Sequence, residues 1–380
     1  MSSMTGEHGV VAGDVVAGEV VLGGVVVGGV DTHSEVHHAA VLDAVGRELA
    51  DREFPATTAG YRALLGWLHS FGELARVGVE GTSSYGAGLA RHLHAAGIVV
   101  VEVDRPDRRT RRARGKSDPI DAYAAAHTAL AGTRTVVPKA GDGIVEAIRA
   151  LRVTRRGAVK ARTATINQLK GLLVTAPAEI REPLAGLSTA VLIPTCLALR
   201  PTGSVADPAQ AVRLVLRRLA RRYQFLSTEI GLADAELRKL VTAAAPSMLT
   251  RLGVGVEVTG QLLTTVGDNP DRMRSEAAFA HLCGAAPIPA SSGKTRRHRL
   301  NRGGDRAANN ALYTVVLARL RLDERTRAYA ARRTAEGLSK REIIRCLQRY
   351  VARELYHALV ALPASSSSWP AHRLQGVGQP

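Results

Sequence analysis

The first part of the chain carries short apolar runs separated by turn residues. Three of these runs follow one another closely, at 25–33, 36–44 and 47–56, and the first of them is rich in valine. Such runs predict a three-stranded antiparallel meander. The pattern then changes to a helical period over 57–71, for which Thr57 or Thr58 is the expected N-cap.

Strand and helix patterns alternate beyond this helix. Apolar strands are expected at 75–81 and 98–104, with a helix over 83–97 between them. A basic stretch at 105–116 follows, and another helix opens at Asp118. The order βββ-α-β-α-β, with a closing helix, is typical of a ribonuclease-H-like α/β layer fold.

The middle of the chain has a longer helical period. Apolar positions recur through 143–174 and 209–244, with Arg and Lys on the polar faces. The segment between them, 181–204, contains Pro, Gly and Thr, so we interpret it as a loop or short connector. Two long helices joined in this way predict an antiparallel hairpin or coiled-coil arm, and an ordinary helical domain is the alternative.

These patterns divide the chain into five parts. The predicted parts are a low-complexity extension (1–22), an α/β domain (23–140), a helical region (141–246), a mainly helical C-terminal domain (247–362) and a disordered tail (363–380).

The composition narrows the class of partner. The 380 residues carry a formal net charge of +17, mostly from arginine, which points to nucleic acid more than to a membrane surface. The apolar run 9–30 is interrupted by glycine and contains acids, so it does not predict a membrane span. Three widely spaced cysteines form neither a disulfide framework nor a thiolate metal motif. We therefore expect a cytoplasmic, nucleoid-associated protein.

The sequence KSDPID at 116–121 permits two interpretations. Asp118 before proline is a good helix cap, and Asp121 suits the first turn because of the helix dipole. The i, i+3 spacing also places both carboxylates on one helix face, where they are able to bind a metal ion.

Two further acids lie at expected strand ends. Asp31 is at the exit of the first strand and Glu80 at the end of the fourth. In the predicted fold these acids converge with Asp118 and Asp121, and four carboxylates suit one or two Mg²⁺ ions. Glu102, Asp104 and Asp43 are competing candidates. A metal site built from His33, His37 and His38 is the weaker hypothesis, and we interpret these histidines as solvated or packing residues.

A second constellation occupies 287–312. Ser291 and Ser292 precede a glycine, and Arg296, Arg297, Arg299 and Arg302 follow closely. The loop is either a nucleophilic serine with charge-balancing arginines or a polar turn beside a phosphate-binding patch. A Gly-x-Gly turn at 252–257 has the form of a phosphate-binding helix hairpin.

Taken together, GVDTH, VGVEG, KSDPIDA and the long block at 267–320 resemble transposases of the insertion-sequence-110 family. The resemblance implies a RuvC-like domain with a DEDD set at Asp31, Glu80, Asp118 and Asp121. It also implies a coiled-coil region and a C-terminal transposase domain. The family's serine nucleophile maps onto Ser292, with Ser291 as the ambiguity.

The same resemblance implies an RNA-guided enzyme. Family members act with a bridge RNA on donor and target DNA, as dimers or tetramers in which the acids of one subunit meet the serine of another. Two departures are the leader before Gly29 and ANN at 308–310, which replaces a more basic stretch.

The predicted function is therefore a Mg²⁺-dependent DNA recombinase of an insertion sequence that forms a phosphoserine intermediate. The alternatives are a RuvC-like nuclease or junction resolvase that uses water, and a non-catalytic basic RNA-binding protein. The expected nucleic-acid contacts are Arg108, Arg109, Arg111, Arg112, Lys116, Lys294, Arg296, Arg297, Arg299 and Arg302.

Overall fold

The computed structural model describes residues 24–103, 117–132, 135–294 and 298–361. The chain divides into two compact units, Met1–Pro138 and Lys139–Pro380. Each unit has its own hydrophobic core. The finer boundaries expected at 140, 246 and 362 stay predictions.

The first unit is built on a mixed six-stranded sheet with the order β3-β2-β1-β4-β5-β6. The strands β1 to β3 form an antiparallel meander, β4 and β5 are parallel to β1, and β6 is antiparallel to β5. The elements are β1 (Val25–Thr32), β2 (Val36–Asp43), β3 (Glu48–Pro55), α1 (Thr58–His69), β4 (Glu73–Glu80), α2 (Ala87–Ala95), β5 (Val100–Val103), α3 (Asp118–Ala131) and β6 (Thr135–Val136).

The apolar or polar character of each strand matches its position in the sheet. β1 is almost wholly apolar because it lies in the middle of the sheet, whereas the polar β3 lies at an edge and is mostly exposed. The predicted meander and the order of the following elements are confirmed. Thr57 caps α1 as expected, since its side chain accepts a hydrogen bond from Gly60 N at 3.1 Å.

Two glycines let α3 lie unusually close to the sheet. Gly29 of β1 and Gly78 of β4 are direct partners in the parallel pair. A methyl group on Gly29 would overlap the backbone of Ala122 and Ala126, and one on Gly78 would lie 2.6 Å from Ala125 O. Only glycine allows this approach of backbone to backbone. The alanines of α3 complete the fit because they add little volume.

The second unit begins with two long helices. These are α4 (Ile144–Val174) and α7 (Pro208–Ala244). Arg155 of α4 binds Asp234 of α7, and Arg162 lies near Ser227. Partners move towards the start of α7 as α4 advances, so the two helices are antiparallel, which confirms the predicted hairpin.

The expectation of a loop between these helices was wrong. The segment contains two helices, α5 (Ala178–Leu184) and α6 (Thr189–Ala198). Leu184, Leu192 and Cys196 are buried with Leu169 and Leu216 of the long helices. Proline and glycine content pointed to a loop, but burial of this apolar face outweighs the weak local propensity.

The rest of the second unit is a helical domain with one small hairpin. Its core joins the base of the long helices to residues from most of the later helices. Its elements are α8 (Pro246–Leu249), α9 (Val256–Val266), a 3₁₀ turn (Pro270–Arg272), α10 (Glu276–Leu282), β7 (Ile288–Pro289), β8 (His298–Arg299), α11 (Arg306–Leu322), α12 (Glu324–Ala335) and α13 (Lys340–Val360).

Several predictions fall outside the described residues. They concern the extension 1–22, the basic stretch 105–116 and the tail 363–380. Among the described helices, none has both the length and the apolar content that crossing a bilayer requires.

Candidate active site

Strands β1 and β4 place the first two acids side by side. Val30 and Val79 are register partners in the parallel pair, so Asp31 and Glu80 follow at matching positions on strands about 4.8 Å apart. Side chains alternate along a strand, and Gly29 and Gly78 face α3. Asp31 and Glu80 therefore face the same helix, and both are buried.

The helix α3 brings the other two acids to the ends of β1 and β4 where Asp31 and Glu80 lie. It begins at Asp118, and its N-cap is Ser117, whose extended backbone precedes the first turn. Of the two interpretations of Asp118, the helix cap is therefore wrong by one residue, because Ser117 holds the cap position. Its carboxylate points to the strand ends, as its contact with His33 shows. Asp121 lies one turn on and is buried.

His33 joins this acidic group. Its Nε2 lies 3.1 Å from Asp31 Oδ2 and 3.5 Å from Asp118 Oδ1. His33 is half exposed, as the interpretation of a solvated residue expects, but its contacts with these two acids were not predicted. The signal was in the sequence: the spacing Asp31-Thr32-His33 puts two polar side chains on one side of an extended segment.

The other two histidines do pack as expected. His37 is fully buried and stacks on Tyr61 with ring centroids 5.6 Å apart. His38 Nε2 lies 2.6 Å from Asp51 Oδ2 on the neighbouring strand. Neither lies in the acidic group, so the histidine-only metal site is not formed.

The charges in the site act on one another. Burial raises the pKa of the Asp31 carboxyl above its ordinary value, His33 lowers this pKa, and Asp121 and Asp118 raise it. Several carboxylates at one buried strand end repel one another, and a cation relieves that repulsion.

The donor set fits a divalent cation. Ligand atoms of Asp31, His33 and Asp118 lie within 4.8 Å of one another. Two carboxylates and one imidazole suit Mg²⁺ or Mn²⁺, with the imidazole favouring the softer of the two ions. Glu80 and Asp121 lie on the same side of the sheet and are buried, but they are not part of this three-residue group.

The competing acids belong elsewhere. Asp43 pairs with Val26 at the opposite end of β1 from Asp31. Its carboxylate accepts hydrogen bonds from Val45 N and Arg47 N, which closes a turn. Glu102 lies on β5, beyond β4 from Asp31. Asp104 falls outside the described residues.

The two candidate serines lie in the second unit, on the connection between β7 and β8. Ser291 and Ser292 are both exposed, and Gly293 after them has a φ of 54°. Among the described residues, no side chain is hydrogen-bonded to either hydroxyl. The described residues of the hairpin therefore provide no general base for either serine.

The base of this hairpin is held firmly. Asn301 Nδ2 donates to His281 O at 3.0 Å, and Asn309 Nδ2 donates to Cys283 O at 3.0 Å. Gly304 lies so close to Gly284 that a methyl group would overlap its backbone nitrogen. These contacts join the hairpin to the helical core.

Two transposase family models match this chain. A DEDD transposase family model named for IS110 matches residues 28–176, which include all four acids. A second model, described as transposase of the IS116/IS110/IS902 family, matches residues 245–331, which include both serines. Together the two matched ranges cover more than half of the chain. The chain belongs to the IS110 family of transposases.

Two curated insertion-element proteins are similar to parts of this chain. An insertion element IS900 uncharacterized 42 kDa protein of Mycobacterium paratuberculosis is 29% identical over 149 residues, which are 38% of this chain and 37% of that protein. An insertion element IS110 uncharacterized 43.6 kDa protein of Streptomyces coelicolor is 30% identical over 119 residues, 30% of this chain and 29% of that protein. The matches therefore span well under half of each relative.

The predicted nucleic-acid contacts of this IS110-family chain are only partly described. Lys294, Arg299 and Arg302 are exposed around the serine hairpin. Arg108, Arg109, Arg111, Arg112, Lys116, Arg296 and Arg297 lie outside the described residues. The contacts of all ten with nucleic acid stay predictions.

Proposed function

We propose that the protein is a DNA transposase of an insertion sequence that cuts and rejoins DNA through a phosphoserine intermediate. The observation that carries the proposal is that acids from β1, β4 and α3 converge at the C-terminal ends of these two strands, in a chain of the IS110 family. We infer that this first unit acts as a RuvC-like domain.

The acids are proposed to hold divalent metal, with Mg²⁺ as the expected ion. Asp31, Glu80, Asp118 and Asp121 would be its ligands, and His33 adds a nitrogen donor beside two of them. Bound metal supplies charge stabilisation at the scissile phosphate. The close packing of α3 on Gly29 and Gly78 keeps the carboxylates in place before any ion binds.

Ser292 is proposed as the nucleophile. Its Oγ attacks the phosphorus of a DNA phosphodiester, the bond to the leaving 3′ oxygen breaks, the serine proton passes to solvent, and solvent returns a proton to the 3′ oxygen. The product is a phosphoserine ester with the 5′ end and a free 3′ hydroxyl. A 3′ hydroxyl of the exchanged strand then attacks the ester, restores a phosphodiester and frees Ser292, so no net hydrolysis occurs.

Guidance by a bridge RNA and action as a homo-oligomer are further parts of the proposal. They rest on family membership and on the net charge of +17, which suits several nucleic-acid strands. Sequencing RNA that co-purifies with the protein tests the first. A defined RNA species is expected, and its absence contradicts guidance.

The decisive experiment is adduct trapping on a DNA substrate with Mg²⁺, read as a covalent protein–DNA band after denaturation. Ser292→Ala is expected to abolish the band, whereas the neighbouring Ser291→Ala retains it. Asp31→Asn and Asp118→Asn are expected to reduce band formation by about 1,000-fold. Adduct formation by Ser292→Ala would overturn the proposed nucleophile.

Mixing the variants tests the oligomer. If acids and serine act from different copies, an equimolar mixture of Asp31→Asn and Ser292→Ala chains regains the adduct that neither forms alone. No recovery in a mixture shown to exchange subunits contradicts that arrangement.

One observation favours a second candidate, a metal-dependent nuclease that uses water. Neither serine hydroxyl contacts a described side chain that could act as its base. In that case Ser292→Ala still cuts DNA, the wild-type protein forms no adduct, and Asp31→Asn abolishes cutting. The adduct experiment separates the two candidates directly.

A further inference from the structure

A cleft of about 850 Å³ lies beside the serine hairpin in the second unit. Its floor is the segment 284–287, one wall is β8 with the two residues that follow it (298–301), and the other wall is the first half of α13. Its volume falls in the range of small-ligand sites, which is suited to one or two unpaired nucleotides and not to a duplex.

The walls are set before any ligand enters. Gln348 Nε2 of α13 donates to Asn309 O at 3.1 Å, and Asn309 in turn holds Cys283 O next to the floor. The Asn301 side chain fixes the hairpin wall to His281. A site with a rigid frame loses little conformational entropy on binding.

Three arginines and one glutamate are among the described residues that line the cleft. The lining carboxylate, Glu342, is occupied by its capping box, since it accepts hydrogen bonds from Ser339 N at 2.9 Å and from Ser339 Oγ at 2.6 Å. Arg349 is engaged by Glu276 at 2.9 Å. Neither Arg299 nor Arg345 lies within ion-pair distance of a described carboxylate, although the charge of Glu342 acts on Arg345 from further away. Both guanidinium groups are therefore able to donate to a phosphate.

An aromatic ring lines the same cleft as these arginines. Tyr350 lines the cleft and is 57% exposed. Tyr329 supports it edge-on, with ring centroids 5.7 Å apart and an interplanar angle of 86°. The exposed face of a supported ring is a stacking platform for any base, and Leu300 and Leu338 add apolar surface to the same cleft.

We propose that this cleft binds an unpaired nucleotide, with its base against Tyr350 and its phosphate between Arg299 and Arg345. The inference rests on the proposed function, because it places a single strand beside the hairpin that carries Ser292. A peptide or a duplex is a competing occupant that the test must exclude.

A cysteine that lines the cleft can be used to measure whether the cleft is occupied. Cys346 lines the cleft and is partly exposed, whereas Cys196 and Cys283 are buried. Burial also raises the pKa of Cys196 to about 11 and that of Cys283 to about 12, so both stay unreactive thiols at pH 8. Alkylation by iodoacetamide at pH 8, followed by mass spectrometry, therefore reports on Cys346.

The experiment measures the alkylation rate of Cys346 in the full chain with oligo-dT, oligo-U or a DNA duplex of matched length. Slower alkylation with a single strand is expected, and the DNA and RNA arms identify which strand is the source. No protection at oligonucleotide concentrations that saturate binding, or equal protection by the duplex, would overturn the proposal.

Variants test the two recognition elements. Arg345→Ala and Tyr350→Ala are each expected to raise the oligonucleotide concentration for half-protection about tenfold, whereas Tyr350→Phe retains the wild-type value. Arg341→Ala is the matched control, because Arg341 is an exposed arginine of the same helix outside the cleft. Equal effects of Arg341→Ala and Arg345→Ala contradict a specific phosphate site.

The test is separable from the proposed chemistry. Ser292→Ala protein is expected to show wild-type protection, since binding in the cleft does not need the hydroxyl. Loss of the covalent adduct with intact protection leaves the cleft proposal standing. If the wild-type protein forms the adduct but Arg345→Ala and Tyr350→Ala leave protection of Cys346 unchanged, the cleft proposal is refuted and the proposed chemistry is not.

Discussion

The acids of the first unit lie at a buried strand end beneath a helix, whereas Ser292 of the second unit lies on an exposed two-stranded hairpin. The acids depend on backbone packing over a whole sheet, since Gly29 and Gly78 set the height of α3. The serine depends on a few contacts at the base of its hairpin. A perturbation of the core beneath the acids should therefore cause the larger loss of stability, and one at the base of the hairpin a smaller loss together with lower reactivity of the serine.

The largest effect is expected from Gly29→Ala. The new methyl group overlaps the backbone of α3, so α3 must move away or the unit must unfold, at a cost of about 3 kcal/mol or more. Urea denaturation followed by the fluorescence of Trp67 measures it.

Gly66→Ala is the matched control for this prediction. A methyl group there meets nothing within 4 Å, and alanine in a helix stabilises by about 0.5 to 1 kcal/mol. Equal behaviour of the two variants would show that α3 does not lie close to β1.

The hairpin counterpart is Gly304→Ala. Its methyl group overlaps Gly284, so the hairpin base shifts at a cost of about 2 kcal/mol, and adduct formation falls. Gly303→Ala, whose nearest neighbour lies at 3.6 Å, should change neither. Mn²⁺ affinity, measured by electron paramagnetic resonance, should be unchanged in both variants. A loss of Mn²⁺ affinity in Gly304→Ala would break the comparison.

His33→Gln tests whether His33 is a metal ligand in the acid site. Loss of the imidazole beside Asp31 and Asp118 should lower Mn²⁺ affinity about tenfold, with no change in the unfolding midpoint of the metal-free protein. The control is His69→Gln, because His69 is exposed at the end of α1. Unchanged Mn²⁺ affinity in His33→Gln would remove His33 from the ligand set.

The smallest effect is expected from Glu354→Gln in the second unit. Arg319 donates two hydrogen bonds to this carboxylate, at 2.6 and 2.9 Å, and lowers its pKa below the ordinary 4.5. A lowered folded pKa means that the stabilisation is complete above pH 4.5 and is lost as the pH falls through the folded value. The variant should therefore lose about 1 kcal/mol at pH 7 and much less at pH 3.

Urea denaturation at both pH values measures this difference. Glu182→Gln serves as the control, since Glu182 is exposed and lies 4.0 Å from Arg181. A difference that stays constant between pH 7 and pH 3 would show that the Glu354–Arg319 pair does not titrate with folding.

Local pattern was enough for most elements. The valine-rich run around Val30 and the capped helix at Thr57 were predictable because strand propensity and N-capping are properties of a few neighbouring residues. The same local view failed for 181–204, where Pro194 and Gly186 indicated a loop. There the burial of Leu192 and Cys196 against the long helices decides the structure.

The acid site shows the same division. The sequence by itself determined that Asp31 and Glu80 end their strands and that Asp118 and Asp121 share the first turn of a helix, because periodicity assigns faces within one element. Only the tertiary structure decided that α3 lies against Gly29 and Gly78 and that His33 joins the acids. The distances between separate elements depend on packing volumes and register across the sheet, which no short stretch of chain encodes.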